Sequence, residues 1–526
     1  MYFQFIPLRR VGIFLSLLAL LAALASLSGP TTTIRAESES PVECKPALVG
    51  TTASANCQPG AIGTTANHQP LPGSKNATKP PAHDLAGVTH RGIDAAGPKG
   101  AALMSPAEAS PSAVTSPAGW RYITCSAGGG GGWTTTSTSW QMIRSCTLNA
   151  PEAGFVYVDA TASVGLSIDV TPYEARFALN IDNPVGNTTT DRWVNIYTDS
   201  GDGTDKSVAD TMIQPVSAGL HTIYFLVTRY GGTGTVQIYR PTLAVLYFPS
   251  SATDVQSCSV TGNIDWNTTS SSFDTVRSCT LEVPQNGFVY VSGTSSVGLA
   301  DTPFEGRFRV GIDAATGSAS SDRWINVYTD SGDGTDESVA TSLVSTIAAG
   351  AHTFYFAAAR YGGTGTVRLY DPSLSVLYFP TPNVTVKTCS ASGSDLWTNN
   401  TSDFTIVRSC TIDAPRAGFA FLDANASGGL NATGAGNEWE GQFSFAIDNT
   451  TISMPYFDRW INVYNDAGDG TDHALALSGV ANIRAGTHTF YFLGKRYGGT
   501  GTLRLYSPSL TVLIPGGVTF LPVSQK

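Results

Sequence analysis

Short runs of alternating apolar and polar residues fill most of the chain from residue 120 onward. The first set falls at Trp120–Ser126, Trp140–Leu148, Gly154–Ala160, Tyr173–Ile181, Arg192–Tyr197, His221–Thr228, Thr235–Tyr239 and Leu243–Phe248. FVYV, FALNI, WVNIY, TIYFLV and LAVLYF repeat with period two, the mark of strands with one face buried. Gly, Pro, Asn and Asp bound the runs, and no window sustains a helical period. About eight strands at this spacing predict an antiparallel sandwich or barrel.

The pattern comes three times. DRWVNIYTDSGDGTD begins at Asp191, DRWINVYTDSGDGTD at Asp322 and DRWINVYNDAGDGTD at Asp458; RYGGTGT begins at Arg229, Arg360 and Arg496. Cysteines open each copy at Cys125 and Cys146, Cys258 and Cys279, Cys389 and Cys410, always 21 residues apart. The first cysteines are 133 and then 131 residues apart, the size of a domain and far beyond a solenoid repeat. Each copy is long enough to bury a core of its own. The predicted organisation is a signal peptide or anchor (1–28), a low-complexity linker or stalk (29–119), β-sandwich repeats at 120–249, 250–380 and 381–515, and a tail (516–526).

Within the first copy, GFVYV, YEARFALNID, AGLHTIYF and the closing GTGTVQIYRPTLAVLYF follow one another as jelly-roll strands would. The late H-T-x-Y-F strand and the final G-T-G-T-V strand resemble the C1q/TNF type. The resemblance implies an all-β chain of three tandem antiparallel β-sandwich (jelly-roll) domains, here in an exported, bacterial-type surface protein. Domains of that type associate as threefold trimers, which implies an intramolecular pseudo-trimer. The joints Pro249–Ser257 and Pro380–Thr388 hold nine residues each. They reach at most about 30 Å, which also suits beads on a string. The cysteine pair and the GDGTD loop are not general features of that family, so no function is carried over.

The N-terminus places Arg9 and Arg10 before the apolar run Val11–Leu27, with Ala23-Leu24-Ala25 as a cleavage site. Export follows, to a secreted or cell-surface location. The run sits at the lower limit for spanning a bilayer, so membrane attachment is expected only through an uncleaved N-terminal segment. Eight cysteines suit an oxidising compartment. The fixed offset favours Cys125–Cys146, Cys258–Cys279 and Cys389–Cys410, leaving Cys44 with Cys57. Zinc is disfavoured, because no CxxC or histidine cluster accompanies the pairs. Residues 30–118, rich in Pro, Ala, Ser, Thr and Gly, read as a flexible stalk. A net charge of −10 without a basic run argues against nucleic acid.

The GDGTD loops are the chief chemical candidates. Asp199, Asp202 and Asp205, with Asp330, Asp333, Asp336 and Asp466, Asp469, Asp472, place three carboxylates in seven residues among glycines. Calcium takes such oxygens, and the competing reading is a solvated Asp-Gly turn. In the DRW strands, Trp193 and Tyr197 share a face opposite Val194 and Ile196, the expected core pair. Trp193, Tyr197, Trp324, Tyr328, Trp460 and Tyr464 are therefore candidate ligand contacts, against a packing role for the tryptophans. The RYGG loops precede strands rather than helices, which excludes a phosphate cradle. His221, His352 and His488 read as structural. Glu174, Glu305 and Glu440 would need a facing carboxylate to act on glycosides. No hydrolase motif is present, and no enzyme is expected. The expected role is structural or adhesive, with a cell-surface glycan or protein as partner. The alternative is a lectin-like, calcium-dependent carbohydrate binder.

Overall fold

The computed structural model describes residues 123–128, 132–165, 171–196, 205–250, 255–262, 265–299, 302–327, 336–381, 386–429, 438–451 and 454–515, the last range without 464, 467–468 and 471. The signal segment, the stalk, Cys44 and Cys57 lie outside the described residues.

Among the described residues the first module has nine strands: β1 (Ile123–Ala127), β2 (Gly132–Thr135), β3 (Gln141–Ala150), β4 (Gly154–Gly165), β5 (Tyr173–Ile181), β6 (Arg192–Ile196), β7 (Lys206–Val216), β8 (Gly219–Gly232) and β9 (Val236–Pro249). One sheet runs β1-β9-β4-β7, with β2 also on β9; the other runs β3-β8-β5-β6. All these pairings are antiparallel. Val158 of β4, Phe177 of β5, Val194 of β6, Phe225 of β8 and Val245 of β9 are fully buried between the sheets. Each such side chain contributes about 1.5–3 kcal/mol of burial free energy. Modules two and three repeat both sheets, with the four-strand orders carried by the corresponding segments.

Three elements differ from the sequence expectation. β2 and β7 have no counterpart among the predicted runs. The first seven residues of β7 are all buried, so the period-two contrast is missing. One of its faces lines the module core and the other meets neighbouring modules. β9 was expected as two strands broken at Pro241, but it is one strand with a register shift opposite Thr161/Ser163. A strand proline is tolerated at such a bulge.

The disulfide Cys258–Cys279 ties the two sheets of the second module, and Cys389–Cys410 those of the third, with Cα atoms 6.1 and 5.9 Å apart. Cys146 is disulfide-bonded as well. His221, His352 and His488 each hold an aspartate through Nδ1: Asp182, Asp313 and Asp448, at 2.6, 2.6 and 2.7 Å. These aspartates sit at φ of 59°, 56° and 60°. The left-handed turn lets the second carboxylate oxygen accept the N–H of Thr222, Thr353 and Thr489.

The modules touch one another. Tyr157, Tyr290 and Phe421, one from each, pack edge to face with centroids 5.7, 5.8 and 6.1 Å apart. Around them Phe248, Phe379 and Leu513 complete an apolar cluster drawn from all three modules. Ala209, Ala340 and Ala476 make a second three-module contact.

Candidate functional site at the module seams

The DRW strands sit at the edge of their sheets and face the next module. Their aspartates stay local. Asp191 pairs with Arg176, Asp322 with Arg307 at 2.6 Å, and Asp458 accepts from Gln442 at 2.8 Å.

The arginines cross the seam, and all three are fully buried. Arg192 donates to the Asp371 carbonyl (2.9 Å), Thr294 Oγ1 (2.7 Å) and Ser373 Oγ (2.8 Å) of the second module. Arg323 donates to the Ser507 carbonyl (2.9 Å), Ser509 Oγ (2.8 Å) and the Asn425 carbonyl (3.1 Å) of the third. Arg459 donates to the Arg240 carbonyl (2.6 Å), Thr161 Oγ1 (2.5 Å) and Thr242 Oγ1 (2.6 Å) of the first. The accepting carbonyls belong to Arg240, Asp371 and Ser507, which precede prolines and hold φ of 49°, 48° and 47°. Non-glycine residues seldom adopt that conformation. Here it turns a carbonyl out of the ladder toward the incoming guanidinium.

The tryptophans follow. Their backbone N–H groups donate to Ser296, Ser427 and Ser163 of the adjoining module at 2.6, 2.7 and 2.8 Å. Trp324 and Trp460 are buried. Trp193 is half-buried and lies 6.4 Å from Tyr370 across the seam, 4.6 Å from the exposed Tyr230 and 4.4 Å from the Arg176 guanidinium. Val194 and Ile196 fill the core as expected. Tyr197, Tyr328 and Tyr464 lie outside the described residues.

Of the loop aspartates, Asp199, Asp202, Asp330 and Asp333 lie outside the described residues, and for Asp466 and Asp469 the backbone alone is described. The third aspartate of each loop is placed. Its carbonyl accepts the N–H of an asparagine in a neighbouring module: Asp336 from Asn195, Asp472 from Asn326 and Asp205 from Asn462, at 3.1, 3.0 and 3.0 Å. The asparagines stand opposite Glu174, Glu305 and Glu440 in the sheet. Each seam thus brings one aspartate beside one glutamate from the next module. A Cβ on Gly165 would collide with Asp205, and one on Gly498 with Glu440, so both carboxyls need glycine beside them. Burial, then Asp205, pushes Glu440 up to about 9; burial pushes Asp205 up to about 7 and Glu305 up to about 8. Among the described residues no group of three metal-capable side chains converges.

Farther in, one residue from each module forms an ionic contact. Lys206 Nζ lies 2.6 Å from Glu337 Oε1, and His473 Nδ1 lies 3.2 Å from the same oxygen. Burial alone would raise Glu337; Lys206 first and His473 next hold it down to about 2. The sequence reading did not find the arginine sockets, the seam carboxyls or this contact. The available signals were the strand prolines after Arg240, Asp371 and Ser507 and the serines at 163, 296 and 427.

No family model and no curated protein matches the chain. Solved structures do. PNGF-II matches at 11% identity over 68% of this chain and 100% of its own, with a TM-score of 0.24. PNGase F, a glycosylasparaginase from Flavobacterium meningosepticum, matches at 11% over 51% and 97%, TM-score 0.26. A CBM22 tandem from Paenibacillus barcinonensis Xyn10C matches at 9% over 49% and 90%, TM-score 0.14. A triple jelly-roll protein of an archaeal virus matches at 10% over 71% and 82%, TM-score 0.16. These matches are to β-sandwich and jelly-roll chains, and the finer C1q/TNF likeness finds no support in them. They also correct the expectation that the chain is not an enzyme. A glycosylasparaginase stands among the structures the chain matches, and the lack of a hydrolase motif is not evidence against catalysis. Scores this low carry no activity over to this chain.

Proposed function

We propose that the chain is a secreted or surface protein in which three β-sandwich modules close on one another and act as one rigid structural or adhesive unit. The observation that carries this is the ring of buried arginines: first module into second, second into third, third into first. A beads-on-a-string chain would leave those guanidinium groups in water, where no socket is needed. The disulfides suit an oxidising, extracellular setting. Spin labels on the first and third modules of the full chain test closure, with Leu220→Cys and Arg416→Cys as exposed positions. One narrow distance is expected, and a broad distribution refutes the unit. Beads coated with the closed protein should adhere to cells, and loss of closure should weaken adhesion.

A second reading, carbohydrate binding, is favoured by one observation. Trp193 is half-buried beside Arg176 and the exposed Tyr230, a mixture of aromatic and polar side chains of the kind that sugars use. A glycan array tests it. Specific binding that Trp193→Ala abolishes supports this reading, and sensitivity to chelator would add calcium through the GDGTD loops.

A further inference from the structure

The centre of the unit holds two carboxyls that lie outside the arginine sockets and the Asp/Glu seam pairs. Asp159 of the first module and Asp423 of the third are buried, at 3% and 5% exposure. The second module has Ser292 at the corresponding strand position. A chain of oxygens joins the carboxyls through the tyrosines. Asp159 Oδ2 is 2.9 Å from Tyr157 OH, Tyr157 OH is 3.2 Å from Tyr290 OH, and Tyr290 OH is 3.1 Å from Asp423 Oδ2. Three such contacts need three hydrogens. The two phenols supply two. Ser478 already gives its hydrogen to the other oxygen of Asp159, and Ser342 gives its own to Asp423 at 2.5 Å. A carboxylate has no hydrogen to give. A proton on one of the carboxyls supplies a hydrogen for the middle contact and removes the repulsion between two buried anions.

We infer that a single proton shared along Asp159–Tyr157–Tyr290–Asp423 locks the three modules together, so that closure is favoured in acid and weakens as pH rises. The inference rests on the closure proposed above. The other charged groups near this chain are already engaged. Asp210, on the neighbouring β7, pairs with Arg192 at 3.0 Å. Arg459 faces Asp159 and Arg323 faces Asp423; their Nη groups go to the sockets on Thr161, Thr242, Asn425 and Ser509, while both Nε–H groups are buried without a hydrogen-bond partner among the described residues. The direction of titration agrees. Burial first, and the charge of Asp423 next, push Asp159 up to about 7, while burial also raises Asp423.

In the open chain an aspartate ionises near its ordinary value of about 4. Closing then takes up one proton at this pair between about pH 4 and pH 7, besides those taken up by the seam carboxyls Asp205, Glu305 and Glu440. The pair's share of the closure constant should fall up to about tenfold per pH unit across that window and level off above it.

Asp159→Asn isolates the effect, because an amide carries its own hydrogens and completes the chain at every pH. Closure is read from the spin-label distance in the full chain, in mild denaturant, from pH 4.5 to pH 8. The ratio of wild-type to variant closure constants should drop with the slope just given. Parallel curves overturn the shared proton. Tyr290→Phe, which copies Phe421, breaks the bridge but leaves both carboxyls buried, so the slope should persist while closure weakens at every pH. Closure as tight as wild type in that variant overturns the bridging role. A broad distance in the wild type at pH 5 is a different failure: it removes closure itself, and the inference with it.

Discussion

Arg459→Ala is the most direct test of the arginine sockets. The chain joins module one to two and two to three, but no segment bridges three back to one. That joint is held by side chains and backbone contacts alone, Arg459 foremost. The guanidinium is fully buried and donates to Arg240, Thr161 and Thr242 across the seam. Truncation strands those neutral acceptors in a dry site, and leaving buried polar groups unpaired costs about 1–3 kcal/mol. At about 1.36 kcal/mol per decade, the closing equilibrium shifts by roughly 5- to 150-fold. The spin-label distance between modules one and three should broaden, while each module keeps its β signature by circular dichroism. Arg459→Lys keeps the charge but loses the fork that reaches several acceptors, and should fall between the two. An Arg459→Ala protein whose distance stays narrow and whose closure lies within about 1 kcal/mol of wild type would refute the reasoning.

Replacing Cys258 and Cys279 together by serine should destabilise the second module by about 3 kcal/mol, the value for a loop of this size; denaturant melts of oxidised and variant protein check it, and equal midpoints would contradict it. His221 and His488 predict an opposite pH response to ordinary carboxylates. Burial works against their charge, but the bonds to Asp182 and Asp448, and from Nε2 to the Ser217 and Arg484 carbonyls, outweigh it and raise both imidazoles. Their stabilisation is complete below the unfolded value of about 6.5 and is lost as pH rises through the raised one. Melting temperatures of wild type and His221→Gln should therefore converge in alkaline buffer and separate at pH 6; a constant gap would count against the charged clamp.

The strands were legible where apolar and polar residues alternate, or where a run is dense in Val, Tyr, Phe and Leu, as in β4 and β9, which are buried on both faces. Val194 and Ile196 could be assigned to the core from alternation alone, and both are there. β7 could be found neither way, since its buried first half, KSVADTM, has polar residues at buried positions and no dense apolar run. The histidines read as structural and are bonded to fixed aspartates. The DRW arginine defeated local reasoning. An Asp-Arg neighbour pair suggests a local ion pair, yet Arg192 bonds residues 102 and 181 positions away while Asp191 turns to Arg176. Spacing along one chain does not say which surfaces meet. The seam carboxyls were hidden for the same reason: Glu440 and Asp205 become a pair only when the third module meets the first.

The contact of Lys206, Glu337 and His473 has a consequence for how such a protein can change over time. In a trimer of three identical chains, every residue at the symmetry axis appears three times. A lysine there would face two more lysines, and a glutamate two more glutamates. Such an axis admits only groups that tolerate copies of themselves. Fusing three copies into one chain lifts that restriction. A cation, an anion and an imidazole can occupy the three equivalent positions and satisfy one another. The same freedom puts tyrosine, tyrosine and phenylalanine in the ring cluster, and aspartate, serine and aspartate one turn of the pleat away. The joint of the three modules is thus a place where each copy can specialise. A mutation that would be felt three times in an oligomer is felt once here.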